Sequence, residues 1–386
     1  MLAVLALAEF LGMTLWFSAT AAAPAIVAEL PFTSGQAAWL TMAVQGGFVC
    51  GTLLAALLNL PDVVNARWLF ACGCAVGAAA NGAVTRADDP TEIIVFRFAT
   101  GVALACVYPP GMKIAAGWFV RQRGAALGIV VGALTVGSAF PHLLQSVAVE
   151  VGWRTLMLVA SACALGGGVL VLGVVRDGPH LSATAPFDPR AIGRVFANRE
   201  VRLATGGYLG HMWELYAMWT WIAAFAAAAH GARTGSLVAF VAIASGAAGC
   251  VGAGFVADRL GKARVAAWAM IVSAGCAAVA GLTFSGPAWA LFALAVVWGV
   301  AVVADSALFS ALIAEHSLRD YVGTALTVQM CSGFLLTMAT IRLLPLVAAA
   351  VGWQWVFLAL VPGPILGTRA MLALDRPGAE ARGETE

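Results

Sequence analysis

Charge is what this chain has least of. Asp, Glu, Lys and Arg make up 10% of its 386 residues and hydrophobic residues 62%, with a mean hydropathy of +0.92. Soluble domains carry about 25% charge, so a mostly solvated fold is excluded and lipid is the expected solvent. The apolar/polar alternation of a membrane barrel is also missing. Backbone groups in lipid must be paired within their own segment, which leaves helices. The eight cysteines (50, 72, 74, 106, 163, 250, 276, 331) all fall in apolar runs with no zinc spacing and no disulfide framework, and read as small packing residues. No G-x-x-x-x-G-K-[ST] occurs, since Gly261-Lys262 is followed by Ala263, so no ATPase of that kind is built in. His211 and Glu214 lack the second histidine of H-E-x-x-H, and no nucleophile–base pair is readable from spacing. The expectation is a non-enzyme without metal or cofactor. A net charge of +2 is too small to suggest nucleic acid. The first apolar run starts at Met1 without a basic leader and is too long for a signal-peptide core, so it reads as a retained span.

What the chain does have is long apolar runs. A bilayer core about 30 Å thick takes roughly 20 helical residues per crossing. Twelve such runs lie near 2–28, 36–58, 66–85, 93–117, 124–147, 154–175, 203–228, 235–257, 265–283, 288–314, 323–346 and 352–373. The expected fold is an all-α polytopic membrane protein with twelve transmembrane helices in two pseudo-symmetric six-helix bundles. The domains follow as 1–175, a linker at 176–202, 203–374, and a tail at 375–386. With the N-terminus inside, the inner segments hold fifteen Lys and Arg residues and the outer loops three, Arg86, Arg154 and Arg233. Both termini, the linker and the tail are therefore expected in the cytoplasm, with the chain in the inner membrane.

The two halves repeat. Val151-Gly-Trp and Val351-Gly-Trp are 200 residues apart, Gly101-Val-Ala and Gly299-Val-Ala 198, and Gly124-x-Ala-Leu and Gly323-x-Ala-Leu 199. Three matches at nearly one offset indicate a parallel repeat of the kind some transporters are built on.

Between the eighth and ninth runs stands Gly254-Phe-Val-Ala-Asp258-Arg259-Leu-Gly261-Lys262-Ala-Arg264. It resembles the signature loop of the major facilitator superfamily, roughly G-x-x-x-D-R-x-G-R-[KR]. The corresponding loop after span two keeps Asp62 and Arg67 but has Leu58 for the first glycine and Val63 after the aspartate. Span four resembles the family's Arg-x-x-x-Gly at Arg97 to Gly101. Span five carries Gly128-x-x-x-Gly132 and Gly137-Ser-Ala-Phe-Pro141, which resembles the antiporter pattern only with a displaced proline. Tyr108-Pro-Pro-Gly-Met-Lys113 and His211-Met-Trp-Glu214-Leu-Tyr216 are similar in wording to bacterial carriers grouped with cyanate and nitrate/nitrite permeases. The resemblance implies alternating access, with spans one, four, seven and ten lining a central cavity. It also implies that Asp62, Arg67, Gly254, Asp258, Arg259, Gly261, Lys262 and Arg264 gate it; the alternative is a plain positive anchor. The loop after span eight being the better preserved, the stronger gate is expected there.

Apart from Arg67, Arg154 and Arg369, counted with the inner segments and outer loops above, eight Asp, Glu, Lys, Arg or His residues fall inside the spans: Glu9, Arg97, Lys113, His142, His211, Glu214, Asp305 and Arg342. Six of them lie on spans one, four, seven and ten, where chance would put about a third; intramembrane charges face a cavity or a partner. At 1.5 Å per residue, Glu214 lies roughly 17 Å into span seven and Asp305 roughly 15 Å from the inner end of span ten. Arg97, Lys113 and Arg342 lie nearer span ends, within snorkelling reach. A carboxylate that gains and loses a cationic partner takes up and releases a proton. Glu214, Asp305 and Glu9 are therefore the candidates for proton coupling, against the alternative of permanent pairs that pin helices together.

Span seven carries Tyr208, His211, Glu214, Met218 and Trp221 on one stripe and Trp213, Tyr216 and Thr220 on another. Such stripes suit a pocket for a small planar or organic solute, or equally aromatic packing. Arg97 and Lys113 could hold an anion, or Arg97 could brace the fold. Tyr108, His142, Ser306, Ser310 and Gln329 complete the candidate lining.

The reading is a monomeric secondary transporter whose expected partners are lipid, a coupling proton and a small solute, an anion or organic acid by preference. Efflux of hydrophobic compounds is the alternative, and a sensor that kept the fold a weaker one, given a tail of only Asp375 to Glu386.

Overall fold

The computed structural model describes residues 1–119, 123–147, 152–180 and 187–375. Arg121, part of the linker and the tail beyond Asp375 lie outside the described residues. Span one is Leu2–Met13 and Ser18–Glu29; spans two and three are Trp39–Leu57 and Ala66–Ala83; span four is Pro90–Leu104 and Tyr108–Trp118; spans five and six are Arg123–Val147 and Trp153–Val174. Spans seven to nine are Arg199–His230, Ala232–Leu260 and Lys262–Val279. Span ten is Ala288–Ala304 and Ser306–His316, span eleven Val322–Val351, and span twelve Trp353–Leu360 with Pro362–Asp375. Eleven of these are long and apolar enough to cross a membrane. Span seven, with 32 residues, is long enough but is not among the eleven. Its polar residues, Thr205, Tyr208, His211, Glu214 and Thr220, all face protein and are buried.

The ends follow local chemistry. Asp89 caps span four, its Oδ1 accepting from the Thr91 amide at 2.7 Å with Pro90 in the first turn. Those Thr91 hydrogen bonds hold the Asp89 carboxyl below the usual range. Asn198 caps span seven by accepting from the Glu200 and Val201 amides. Spans eight and nine are joined by Gly261 alone, at φ +92° and ψ 137°, a conformation open to glycine and strained for other residues. The glycine of the signature loop is thus a one-residue turn.

The repeat in the sequence is a repeat in packing. A Cβ on Gly101 of span four would run into the Val44 carbonyl of span two, and one on Gly299 of span ten into the Ala242 carbonyl of span eight. Both residues of the first pair are 198 positions before those of the second. Gly51 against the Val102 carbonyl and Gly249 against the Val300 carbonyl are a second pair at the same offset. Spans two and four, and spans eight and ten, are therefore in backbone contact through glycines placed where no side chain fits. The halves meet along spans five and eight, where a Gly132 Cβ would lie 3.3 Å from the Ala247 side chain, and along spans two and eleven.

Spans one, four and ten are interrupted. Span one loses its regular ladder between Met13 and Ser18, span four between Leu104 and Tyr108, and span ten at Asp305. In span four the cause is legible: Pro109 and Pro110 have no N–H for the carbonyls one turn back. The break tightens into Cys106 N–Ala103 O and Val107 N–Leu104 O bonds of 2.9 Å. Irregular backbone at membrane depth survives where it meets protein or a cavity, and here it carries the polar site.

Candidate functional site

Arg97 is wholly buried and donates from every guanidinium nitrogen. Nε reaches Leu40 O at 3.3 Å; Nη1 reaches Leu15 O at 3.0 Å, Ser18 Oγ at 3.2 Å and Asn81 Oδ1 at 2.8 Å; Nη2 reaches Trp16 O at 2.6 Å. Leu15 and Trp16 are the carbonyls freed by the break in span one. Asn81 in turn donates to Met157 O and Ser161 Oγ of span six. The geometry is that of a brace joining five spans; Arg97 neither snorkels nor offers a free face to an anion. Lys113 is engaged too, hydrogen-bonded to Asp62 and to the Pro61 carbonyl. Arg342 lies against Gly35 at the entrance of span two, nine residues before the end of its helix at Val351.

A second polar cluster sits inside the second half. Glu214 Oε1 accepts from Ser273 Oγ of span nine at 2.8 Å and from the Trp298 indole of span ten at 2.6 Å. One turn earlier, His211 Nδ1 stands 2.8 Å from Asp305 Oδ1, a contact without hydrogen-bond alignment that is ionic when the imidazole is protonated. Its Nε2 is 3.1 Å from Ser306 Oγ. Asp305 sits at the break of span ten, and Trp298, seven residues earlier, shares its face. Spans seven and ten thus bring together four of the residues expected for coupling and binding, His211, Glu214, Asp305 and Ser306. Ser273 and Trp298 were not among the expected residues. A tryptophan two turns from a midspan aspartate was the available signal for Trp298; a serine in an alanine-rich span gave none.

Glu9 is the first half's buried acid. Neither carboxylate oxygen has a hydrogen-bond partner among the described residues. A Cβ on Gly111 would collide with Oε2, and Cys74 and Tyr108 lie within electrostatic reach.

The stripes of span seven divide. Trp213 donates to Ala359 O of span twelve at 3.0 Å and Trp221 to Ile341 O of span eleven at 2.9 Å, so both point into helix packing. Met218 is buried among the core, and Thr220 hydrogen-bonds back to Tyr216 O. Tyr216 faces the centre. Its ring is 5.7 Å from Trp16, 6.2 Å from Phe17, 5.5 Å from Trp219 and 5.1 Å from Phe334. Phe48 closes the set, 5.0 Å from Trp16 and 4.6 Å from Phe334. This layer joins spans one, two, seven and eleven across the two halves. Of its members only Tyr216 was expected. His142 lies at its border, 6.4 Å from the Phe17 ring. Gln329 is buried on span eleven, one turn from Gly333, which packs against the Tyr208 ring.

Toward the Asp62 end a cavity of about 390 Å³ opens between spans two, four and eleven, with Thr52, Asn59, Met112, Lys113, Thr327 and Met330 in its wall. Of the expected solute-binding residues, Lys113 alone lines it. The two loops expected to gate differ in their pairing. Asp62, in the degraded loop, is the aspartate that is paired, because Asn59 in the left-handed conformation (φ 49°) turns the chain back toward span four. Asp258 is exposed and makes no ion pair among the described residues. Lys262 pairs with Glu315, and Arg264 Nη2 reaches Asp375 Oδ2 at 2.9 Å, which ties the loop to spans ten and twelve. Gly254 and Arg259 stand at the end of span eight, and Arg67 donates to Leu172 O of span six at 3.0 Å.

Residues 5–252 match a family model described as Major Facilitator Superfamily. The probable L-galactonate transporter of Escherichia coli (strain K12) is 24% identical over 196 residues, 46% of this chain and 43% of that protein. The riboflavin transporter of Trypanosoma cruzi (strain CL Brener) is 34% identical over 89 residues, 22% of this chain and 19% of that protein. The matches thus span less than half the length of these curated relatives. Among solved structures, a mutant of the nucleoside transporter NupG superposes with a TM-score of 0.70 at 15% identity, covering 97% of this chain and 100% of that one.

Proposed function

We propose, for a chain that belongs to the Major Facilitator Superfamily, a proton-coupled secondary transporter that moves a small polar solute, an organic acid by preference, by alternating access. The observation that carries this reading is the asymmetry between the two ends of a two-fold repeated molecule. An aromatic layer contributed by both halves closes the centre, while a cavity between the same halves opens toward Asp62. Such a molecule exchanges its open end when the halves rock about the layer.

The domains that rock are residues 1–175 and 203–374, joined by the 176–202 linker. The excess of Lys and Arg at the Asp62 end supports an orientation with that end, the linker and both termini in the cytoplasm and the chain in a bacterial-type inner membrane. Coupling is assigned to Glu214 and the His211–Asp305 pair. All three are buried, and Asp305 sits where the backbone of span ten is broken, so a small movement of span ten against span seven changes its distance from His211. The organic-acid preference is supported by the L-galactonate relative; Arg97 and Lys113 no longer support it, being engaged with protein. The aromatic layer favours a second reading, export of hydrophobic compounds.

A solute panel in proteoliposomes, with and without an imposed proton gradient, tests both readings. Gradient-driven uptake of an organic acid is the expected result. Gradient-driven movement of hydrophobic compounds alone would select the second reading, and no solute or proton movement at all would overturn the transporter reading.

A further inference from the structure

Six buried polar atoms around the aromatic layer have no hydrogen-bond partner among the described residues. They are the indole Nε1 of Trp16 and of Trp219, the amide Nε2 and Oε1 of Gln45, and both ring nitrogens of His142. All four side chains are at most 1% exposed. Native interiors leave few such groups unpaired, and these four come from four different spans, one, two, five and seven.

Ring contacts tie them into one locality. Phe17 lies 6.4 Å from His142 and 5.8 Å from Trp219, and its neighbour Trp16 lies 5.7 Å from Tyr216, which is itself 5.5 Å from Trp219. Gln45 lies on span two between Thr41, whose hydroxyl is 2.7 Å from that of Thr20, and Phe48, 5.0 Å from Trp16. Spacings of four and three residues put Thr41, Gln45 and Phe48 on one helix face, and the two flanking contacts direct that face at span one, at its interrupted stretch through Trp16 and at the helix just after it through Thr20. Arg97 fixes that stretch by holding the Leu15 and Trp16 carbonyls.

We propose that Trp16, Gln45, His142 and Trp219 form the hydrogen-bonding set of a binding site for a small polyhydroxylated solute, which is read through its hydroxyl groups. The assignment rests on the transport reading above and narrows its solute class. The donor–acceptor balance carries it. Two indoles donate, while the Gln amide and an uncharged imidazole each donate and accept. A hydroxyl also does both, so a chain or ring bearing several of them pairs with every member of the set. The aromatic faces of Trp16, Phe48, Tyr216 and Phe334 take the apolar C–H faces of the same solute. A purely hydrophobic compound would fill the layer and leave all six atoms unpaired, which a site built from buried polar groups rejects strongly. No fixed charge belongs to the set, and Arg97 and Lys113 are bound to protein. A carboxylate on the solute is therefore tolerated and not required.

The test is equilibrium binding to the purified full chain in detergent, with three radiolabelled six-carbon probes. Gluconate has hydroxyls and a carboxylate, sorbitol hydroxyls alone, and hexanoate a carboxylate alone. Gluconate and sorbitol are expected to bind within about tenfold of each other and hexanoate at least tenfold more weakly than either. Hexanoate equal to gluconate, sorbitol inert beside a bound gluconate, or neither hydroxylated probe bound would each overturn the assignment. Trp16→Phe and Trp219→Phe keep an aromatic ring and remove the N–H together with the pyrrole half of the indole, so the test does not depend on Gln45→Leu folding. Each variant is expected to weaken gluconate about tenfold, the equivalent of one hydrogen bond at 1.4 kcal/mol per decade. Unchanged affinity in all three overturns the site. Binding without gradient-driven uptake would remove the transport reading and leave the site standing. Gradient-driven uptake of some other solute, unaffected by these variants, would do the reverse.

Discussion

Arg97 and Glu214 are both buried ionisable groups, and their partners give them opposite expected behaviour. Arg97 holds five groups in place and has no second arrangement to move to. Lysine keeps its charge but not its fork. Arg97→Lys is expected to lower stability by about 2–3 kcal/mol, the scale of a lost hydrogen bond to a charged group, and to lower the unfolding temperature in detergent together with transport. Glu214→Gln still presents an oxygen to Trp298 and Ser273, so the fold should persist with an unchanged unfolding temperature. Gradient-driven uptake should fall by on the order of tenfold or more while solute counterflow continues, the separation expected when only coupling is lost. Equal losses in both assays would make Glu214 a structural group. The sequence showed that these residues were exceptional because charge in lipid is rare. It could not show which were braces, since that depends on carbonyls freed at Leu15 and Trp16 and on Asn81, an uncharged residue in an unremarkable span.

Elements were more legible than sites. The twelve apolar runs coincide with the twelve spans to within a few residues, because bilayer thickness sets helix length and Gly, Pro and Asn set the ends. Span seven extends beyond its apolar run, from Arg199, since the Asn198 cap starts the helix before the membrane does. The Val-Gly-Trp words repeat in sequence without repeating in backbone: Gly352 has φ +81°, Gly152 φ −53°. Gly101 and Gly299, like Gly51 and Gly249, do repeat structurally, and no linear pattern announces the pairing of the first two with Val44 and Ala242. Replacing either by valine forces spans two and four, or eight and ten, apart. Each variant is expected to be poorly expressed or to unfold at markedly lower temperature, a loss of about 3 kcal/mol or more from overpacking, while Gly166→Val, where a Cβ meets open space, should be tolerated. The paired loop makes another element-scale forecast. Asp62→Asn should lower the uptake rate and Lys113→Met should reproduce the defect, whereas Asp258→Asn should have a smaller effect, Asp258 being unpaired among the described residues. The opposite order would return the principal gate to the better-preserved loop.

For the molecule as a whole, the aromatic layer is the contact that must open if the halves rock. Phe48 and Phe334 face each other across it with ring centroids 4.6 Å apart. In a background with the eight native cysteines replaced, Phe48→Cys with Phe334→Cys is expected to be bridged by a short reducible bifunctional thiol reagent that spans the place of the two rings and to lose uptake, with recovery on reduction. Uptake that survives a completed cross-link would place the moving contact elsewhere. The overall repeat was visible in sequence through its 198 to 200-residue offset. The layer was not, because its rings come from four spans and none belongs to a local pattern. One further consequence lies in the optics of the same layer. Trp16 and Trp219 are shut away from water in this conformation, at 1% exposure each, and water admitted to an excited indole lowers the energy of its emission. With the other eleven of the thirteen tryptophans changed to phenylalanine, the colour of this protein's fluorescence would report, without any attached label, how much of the population has its centre open.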